Sequence, residues 1–484
     1  MRNRVRQAPL MQGMDPLHAW SVVFDPESGS PTGVRADLAR GMVAEVAVGD
    51  EKVRNDFDHI SIFNRPIFNA TFDEDTRTWY DFVERGEEGF SLTPSEVGRE
   101  VIYRCTPFWY QLELTPEGAL SRVSVSDRAL EGYRLAPMFT DGTKPVYRPA
   151  FEMGYDSKER LVHSRAGLSL YEGASYNITA MARSRSAAAR PERAADWFSD
   201  YLLLLVEFAT CNLQGVMHGR VGNTLALFDA HAENAAFPTG LYSKTEPSFS
   251  VGDKVTVYMN YSWGGAWTRY GDYVVNEIVY QAGAGYRLTL KGLTASALFE
   301  EVDTAFCCLA YAKTGEAISA VTVASSGRAS DSPTAPIVWR GKENPWGNIS
   351  SLLHDITVEC QRDGSVLYRR GASSSSGEED DTSGAVFYPF FTEETSFVKH
   401  VKLNEEGDFL YPIAWESTAP DRYFATRNTQ HELDFDQRTG AVMTVGGDCG
   451  AGVGTNHAAI DVISTSENCA RFHRIGGRLI FEEA

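Results

Sequence analysis

Apolar side chains recur at helical spacing along one long stretch of this chain. Trp197, Tyr201, Leu204, Leu205 and Phe208 stand three or four positions apart, which gathers them on one helix face. Pro191 suits a first turn, Glu192 and Asp196 suit its positive end, and Gly215 is a stop signal. The pattern predicts a helix over roughly 191–213, and a shorter one over 178–189. Elsewhere the texture is that of strands. Residues 20–24 form a short apolar run stopped by Asp25 and Pro26; residues 59–66 and 78–82 read as further short strands or strand ends. Residues 100–114 are rich in β-branched and aromatic side chains and predict one central strand, broken at Pro107 by a bulge or bend. Pro116 to Gly118 turn it back, and 121–126 alternates as its partner. From 243 to 326, the runs 250–258, 274–280, 286–290 and 320–324 are separated by glycine-rich turns, the pattern of a small β-barrel or sandwich. The class is α+β, with many short strands and loops.

One stretch breaks both periods: Trp339, Arg340, Gly341, Lys342, Glu343, Asn344, Pro345, Trp346, Gly347, Asn348 and Ile349. Pro345 fixes its own φ and biases Asn344 toward an extended backbone. Gly341 and Gly347 permit angles other residues avoid. Asn344 and Asn348 can bond nearby backbone groups, and the two tryptophans can bury the turn. The stretch predicts a rigid, buried junction. It holds no His, Cys or Ser to act as base or nucleophile.

Composition narrows the function classes. At 484 residues, 43% hydrophobic and 12% aromatic, the chain can fill two or three domains. A net charge of −20 disfavours nucleic acid and anionic membrane surfaces as partners. The seven cysteines are irregularly spaced and include no C-x-x-C, so no disulfide framework is expected; Cys307 and Cys308 sit in an apolar run as core residues, and the chain reads as made in a reducing cytoplasm. Residues 1–17 read as a polar, basic arm without the apolar core of a secretory signal, and the longest apolar run, 201–206, is too short to span a bilayer. Residues 371–384 form an acidic low-complexity loop, expected to be exposed and mobile.

A resemblance runs through the chain in order. It is carried by 20–31 with Arg35, Gly41 and Met42; by Phe63 to Pro66; by Val101 and Ile102 leading to Pro107 through Tyr110; and by Ala136 to Phe139 with Asp141 and Gly142. It continues through Ser164 to Gly167, 203–212 with Gln214 and Gly219, 340–349, and Gly446, Gly447, Ala451 and Gly452 to Gly476, Gly477, Arg478 and Leu479. The most specific elements are Glu343 to Asn348, and Glu207 followed by Asn212 and Gln214. In these segments the chain resembles a family of phage tail proteins with a C-type-lectin-like fold, in the branch shared with formylglycine-generating enzymes and including retroelement-diversified members. The resemblance implies a lectin-like domain in two parts, 18–243 and 326–484, interrupted by a β-rich module at 244–325. It implies a non-enzymatic receptor-binding protein of a phage or prophage tail, made in the host cytoplasm and located in the virion. Its partners would be a bacterial cell-surface glycan or protein and other virion proteins, with no nucleic acid, no membrane insertion and no cofactor; a homotrimer is the family's usual assembly. The competing class is a structural virion component, at a tail tip, baseplate or capsid surface.

The segment matching the family's variable loop is 450–474. It offers Thr455, Asn456, His457, Asp461, Ser464, Ser466, Asn468, Arg471 and His473, small polar groups suited to adaptable hydrogen bonding. Trp263, Trp267 and Tyr270 form an aromatic cluster on the inserted module, suited to sugar stacking as well as to core packing or a subunit contact. The enzyme alternatives lack their residues. Cys449 and Cys469 stand twenty positions apart, unlike the close pair of the formylglycine-generating branch; the histidines show no H-x-x-x-H or H-E-x-x-H spacing; no G-x-S-x-G occurs; and no aspartate-rich spacing supports calcium. Glu207, within the apolar helix, is expected to be a buried carboxylate bonded to backbone or to an arginine such as Arg165. Arg183, Arg185, Arg190 and Arg193 read as a solvated basic face, with contact to an acidic neighbouring subunit as the sharper alternative.

Overall fold

In a computed structural model of the chain the long helix spans Ala194–Phe208, and all of its residues are buried. The structure describes residues 18–28, 30–173, 175–222, 224–229, 240–260, 267–300, 302–318, 326–332, 334–360, 365–370, 386–389, 397–416, 440–447, 460–464 and 475–484. The helix is shorter than the apolar pattern suggests, because side chains and strands claim its ends. At the start, the Asp355 carboxylate accepts the Ala194 N–H at 2.8 Å and Asp196 accepts that of Arg193 at 3.1 Å. At the end, Ala209 turns left-handed (φ 53°), and its carbonyl accepts from Gly33 instead of continuing the helix. Gly215 closes a separate turn of 3-10 helix, Leu213–Gly215. The second helix, Ser175–Arg185, begins earlier than its pattern; Ala189–Arg190 beyond it pairs with Ile480–Phe481 near the C-terminus. A one-turn helix, Ala295–Leu298, was not anticipated; the Thr294 hydroxyl caps it.

Two antiparallel sheets flank this helix. One has the order Val34–Asp37, Trp20–Val23, Leu120–Ser126, Trp109–Leu114, Arg134–Leu135; the other has Val146–Pro149, Arg99–Cys105, Ile67–Asp73, Thr78–Glu84. The stretch expected as one bent strand is therefore two, in different sheets. Proline has no N–H for a ladder, so Pro107 marks where the chain leaves one sheet for the next. Residues 59–66 are not a strand. Asn55 caps a 3-10 turn, Asp56–His59, and Phe57 meets Phe63 edge-to-face at 4.9 Å. The apolar residues there anchor a turn.

The inserted module is a closed antiparallel barrel, ordered Leu225–Asp229, Leu241–Ser243, Gly285–Leu290, Trp267–Gln281, Lys254–Asn260, Thr304–Leu309. Its first two strands lie upstream of residue 244. Val255, Val257, Val275, Leu288, Ala305 and Cys307 belong to its own core. The strand expected over 320–324, the N-terminal arm and the acidic loop 371–384 lie outside the described residues.

The C-terminal sheet has the order Val386–Pro389, Ser365–Arg370, Ser350–Cys360, Gly440–Val445, Ile460–Ser464, and Ile475–Gly476 pairs in parallel with the start of Ser350–Cys360. The described chain is β-rich α+β. Its main core joins the long helix, the first two sheets, Trp339, Trp346 and the C-terminal sheet.

Candidate functional site

The stretch 339–349 is wholly buried. Ile337–Trp339 and Lys342–Glu343 pair as a hairpin through Arg340 and Gly341, which both take positive φ (46° and 86°) as a two-residue link requires. Asn344 is also left-handed (φ 43°), not extended. Its side chain overrides the pre-proline bias: Oδ1 accepts the Ile337 N–H at 3.2 Å and Nδ2 donates to Glu152 at 2.9 Å.

The acids of the long helix and its entry lie beneath this turn, each matched to a cation. The Glu207 carboxylate takes two bonds from the Arg340 guanidinium (2.7 and 2.8 Å), one from Trp339 Nε1 (2.9 Å) and one from Asn55 (2.7 Å). Arg165 is not its partner; that guanidinium bonds Glu159 and the carbonyls of Arg99 and Glu96. Asp200 pairs with Arg65 (2.7 Å) and Lys342 (2.8 Å), and Lys342 also reaches Glu192 (2.7 Å). The Arg65 guanidinium lies 4.4 Å from the Trp339 ring centroid, a cation–π contact. Asp196 pairs with Arg148 and Arg190 (2.8 and 2.9 Å); against the penalty of burial, these two guanidinium groups hold its carboxyl well below the ordinary range.

The basic run 183–193 is thus not one solvated face. Arg185 bonds the buried Glu100, Arg190 is buried between Asp196 and Glu482, and Arg193 reaches Glu482. Arg183 alone of the four is exposed and makes no ion pair among the described residues.

On the other side of the turn are two more buried acids. Glu152 accepts from Asn344 (2.9 Å) and Asn348 (2.7 Å). Glu343 accepts the backbone N–H groups of Gly315, Ala317 and Ile318 (2.7, 2.7 and 3.3 Å). Burial raises the Glu152 carboxyl to about 7, opposed by the Arg478 charge, and raises that of Glu343 to about 8, opposed by its backbone bonds and aided by the Glu152 charge. Arg478, of the Gly-Gly-Arg-Leu run, donates to the backbone carbonyls of Glu343 and Asn344. Among the described residues no group of three or more His, Cys, Asp or Glu is placed to hold a metal ion.

The turn also supports the C-terminal sheet. Gly347 N–H bonds the Gly446 carbonyl at 2.8 Å, and Trp346 Nε1 bonds the Met217 carbonyl at 3.1 Å. Of the residues expected to meet a ligand, Asp461 and Ser464 lie on strand Ile460–Ser464, opposite Thr444 and Ala441. That strand divides the expected loop. Segment 448–459 joins the sheet at the end where Val445 meets Ile460, and 465–474 leaves from the opposite end, where Ser464 meets Ala441. Segments 361–364 and 417–439 join the sheet at that second end too, beside Cys360 and Gly440. Thr455, Asn456, His457, Ser466, Asn468, Arg471, His473 and Trp263 lie outside the described residues. Trp267 opens a barrel strand opposite Asn260; Tyr270 on the same strand is exposed, stacks on Tyr273 at 6.3 Å and bonds the Ala297 carbonyl. Cys105, Cys211, Cys307 and Cys308 are buried thiols outside any disulfide; Cys449 and Cys469 lie outside the described residues.

The polar stripe was the feature hardest to find from sequence. Glu192, Asp196 and Asp200 follow at four-residue spacing, a visible signal, but their cations come from positions 65, 148, 190 and 342. Compared with protein-family models and with the curated proteins, the chain matches none. No helix among the described residues is long and apolar enough to cross a membrane.

Proposed function

We propose that this chain is a receptor-binding protein of a phage or prophage tail, with a C-type-lectin-like fold, that recognises a bacterial surface glycan or protein. One observation supports the reading most. The sequence elements that carry the resemblance lie far apart in the chain yet meet around one turn: Glu207 on Arg340, Arg65 on Trp339, and Arg478 on the carbonyls of Glu343 and Asn344. Such a rigid polar core suits a fold whose work is to hold long connecting segments, and two such segments, 417–439 and 465–474, join one end of the C-terminal sheet. The contacts are assigned to segments 448–459 and 465–474 of the lectin-like part, with the aromatic barrel strand from Trp267 as a second surface. Each contact is weak alone, and several copies on one tail raise avidity. Chemistry is not part of the role.

The test is binding of the purified, labelled chain to a panel of intact bacteria, beside a variant carrying Asn456→Ala, His457→Ala, Asn468→Ala and His473→Ala. Strain-selective binding that the variant loses is the expected result. Binding to no strain by a correctly assembled protein would overturn the reading and favour a structural virion component.

A further inference from the structure

We infer that Glu343, with Glu152 beside the same turn, forms a proton-responsive latch that fastens the chain leaving the barrel onto the core. Both ends of the barrel converge on the turn. On the entering side, Asn348 N–H bonds the Arg220 carbonyl at 2.8 Å, and Arg220 Nε donates to the carbonyl of Ala310 on the leaving side at 2.9 Å. On the leaving side, Ala312 N–H bonds Asn348 Oδ1 at 2.8 Å. Glu343 then takes the next stretch: Oε2 accepts from Gly315, and Oε1 accepts from Ala317 and Ile318.

Accepting at both oxygens favours the ionised carboxylate, because protonation turns one oxygen into a donor and weakens it as an acceptor. Yet Glu343 is fully buried, and a second buried acid, Glu152, acts on it. The charges facing the pair are few. The Arg478 charge opposes the effect of burial on Glu152, and its Nη2 donates to backbone carbonyls of the turn. The neighbouring cations are engaged elsewhere, Arg340 by Glu207 and Asp58 and Lys342 by Glu192 and Asp200. Among the described residues, two buried carboxylates beside the Arg478 guanidinium leave an excess negative charge, so burial raises both groups and the pair retains a proton into the neutral range. That proton belongs to the pair, and hydrogen bonding places it. Burial raises Glu343 more than Glu152, but Glu343 has three N–H donors spread over both oxygens, whereas Asn344 and Asn348 both bond Oε2 of Glu152 and leave its buried Oε1 without a hydrogen-bond partner among the described residues, so that oxygen is the better host for the proton. With the proton on Glu152, Glu343 is ionised and the latch is closed. Loss of that proton at alkaline pH sets two anions against each other and loosens residues 315–318. The latch is independent of what the C-terminal segments bind.

Amide exchange in the full-length chain tests it. Protection of Gly315 and Ala317 is measured from pH 6 to 9 and referred to the amides of Ala194–Phe208, which cancels intrinsic pH dependence. Protection at these two amides should fall about tenfold relative to the helix amides across that range. Glu152→Gln keeps a side-chain carbonyl for Asn344 and Asn348 but carries no charge, and in it the relative protection should stay constant. A pH-independent wild type, or an equal fall in both proteins, overturns the latch. Should Glu152→Gln fail to fold, the wild-type profile together with the carboxylic-acid carbonyl infrared band decides it: absence of a band that disappears between pH 6 and 9 overturns the proposal.

Discussion

Glu207 shows what a single buried acid asks of its surroundings. It is fully buried and meets every bonding direction with a donor from Arg340, Trp339 or Asn55. Removing one partner leaves the other charge uncompensated, so Arg340→Ala should lower unfolding free energy by roughly 3–5 kcal/mol in urea titrations. Arg340→Lys should recover little of it, because an ammonium cannot reproduce the two-pronged bond. Asn344 offers a second test. Asn344→Gly and Asn344→Ala delete the same side-chain bonds, but only alanine pays for the left-handed backbone. The glycine variant should be the more stable of the two by about 1–2 kcal/mol in the same assay. At this scale the sequence revealed that the turn is buried and that Glu207 is a buried acid. It did not reveal the partner, because Arg340 lies 133 positions away and only the fold brings it near. The pre-proline rule misjudged Asn344 because it weighs backbone contacts alone, while two side-chain bonds decide the angle.

At the level of elements, local pattern worked where one element buries its own face and failed where tertiary contacts set the boundaries. The long helix was legible because its apolar residues repeat, but its ends are fixed by Asp355 and by Gly33, which no local window contains. The barrel was legible from alternation and glycine turns. Its early strands, Leu225–Asp229 and Leu241–Ser243, were missed because they are short and pair with strands far along the chain. The C-terminal contact segment was read as one loop, since the five-residue strand Ile460–Ser464 mixes polar and apolar side chains. Gly347 links these elements. It takes φ 75°, and a Cβ there would lie 2.8 Å from the Arg220 backbone nitrogen. Neither backbone can yield cheaply, so Gly347→Ala should lose roughly 2–4 kcal/mol in thermal or urea unfolding. Its first sign should be faster proteolysis between residues 310 and 318, where the barrel rejoins the core.

For the whole molecule, the buried titrating groups oppose one another across the pH scale. Burial raises the carboxyls of Glu152 and Glu343 to about 7 and about 8, so the folded pair holds a proton that the unfolded chain releases; that stability is present at acid pH and is lost as pH rises from the ordinary carboxyl range through these values. Burial lowers His354 to about 4, with the Arg190, Arg193 and Arg183 charges adding to it. The folded chain keeps that imidazole neutral, so its contribution is lost as pH falls from the ordinary histidine value toward 4. Asp196, held low by Arg148 and Arg190, adds a loss at still lower pH. Melting temperature plotted against pH should therefore peak between these limits. Glu152→Gln should flatten the alkaline side, and His354→Gln the acid side.

The barrel's two joints with the core are themselves bonded, Arg220 to Ala310, only 2.9 Å apart. A segment whose two ends are held side by side closes on itself, so a change in the length of its loops moves neither joint and leaves the core in place.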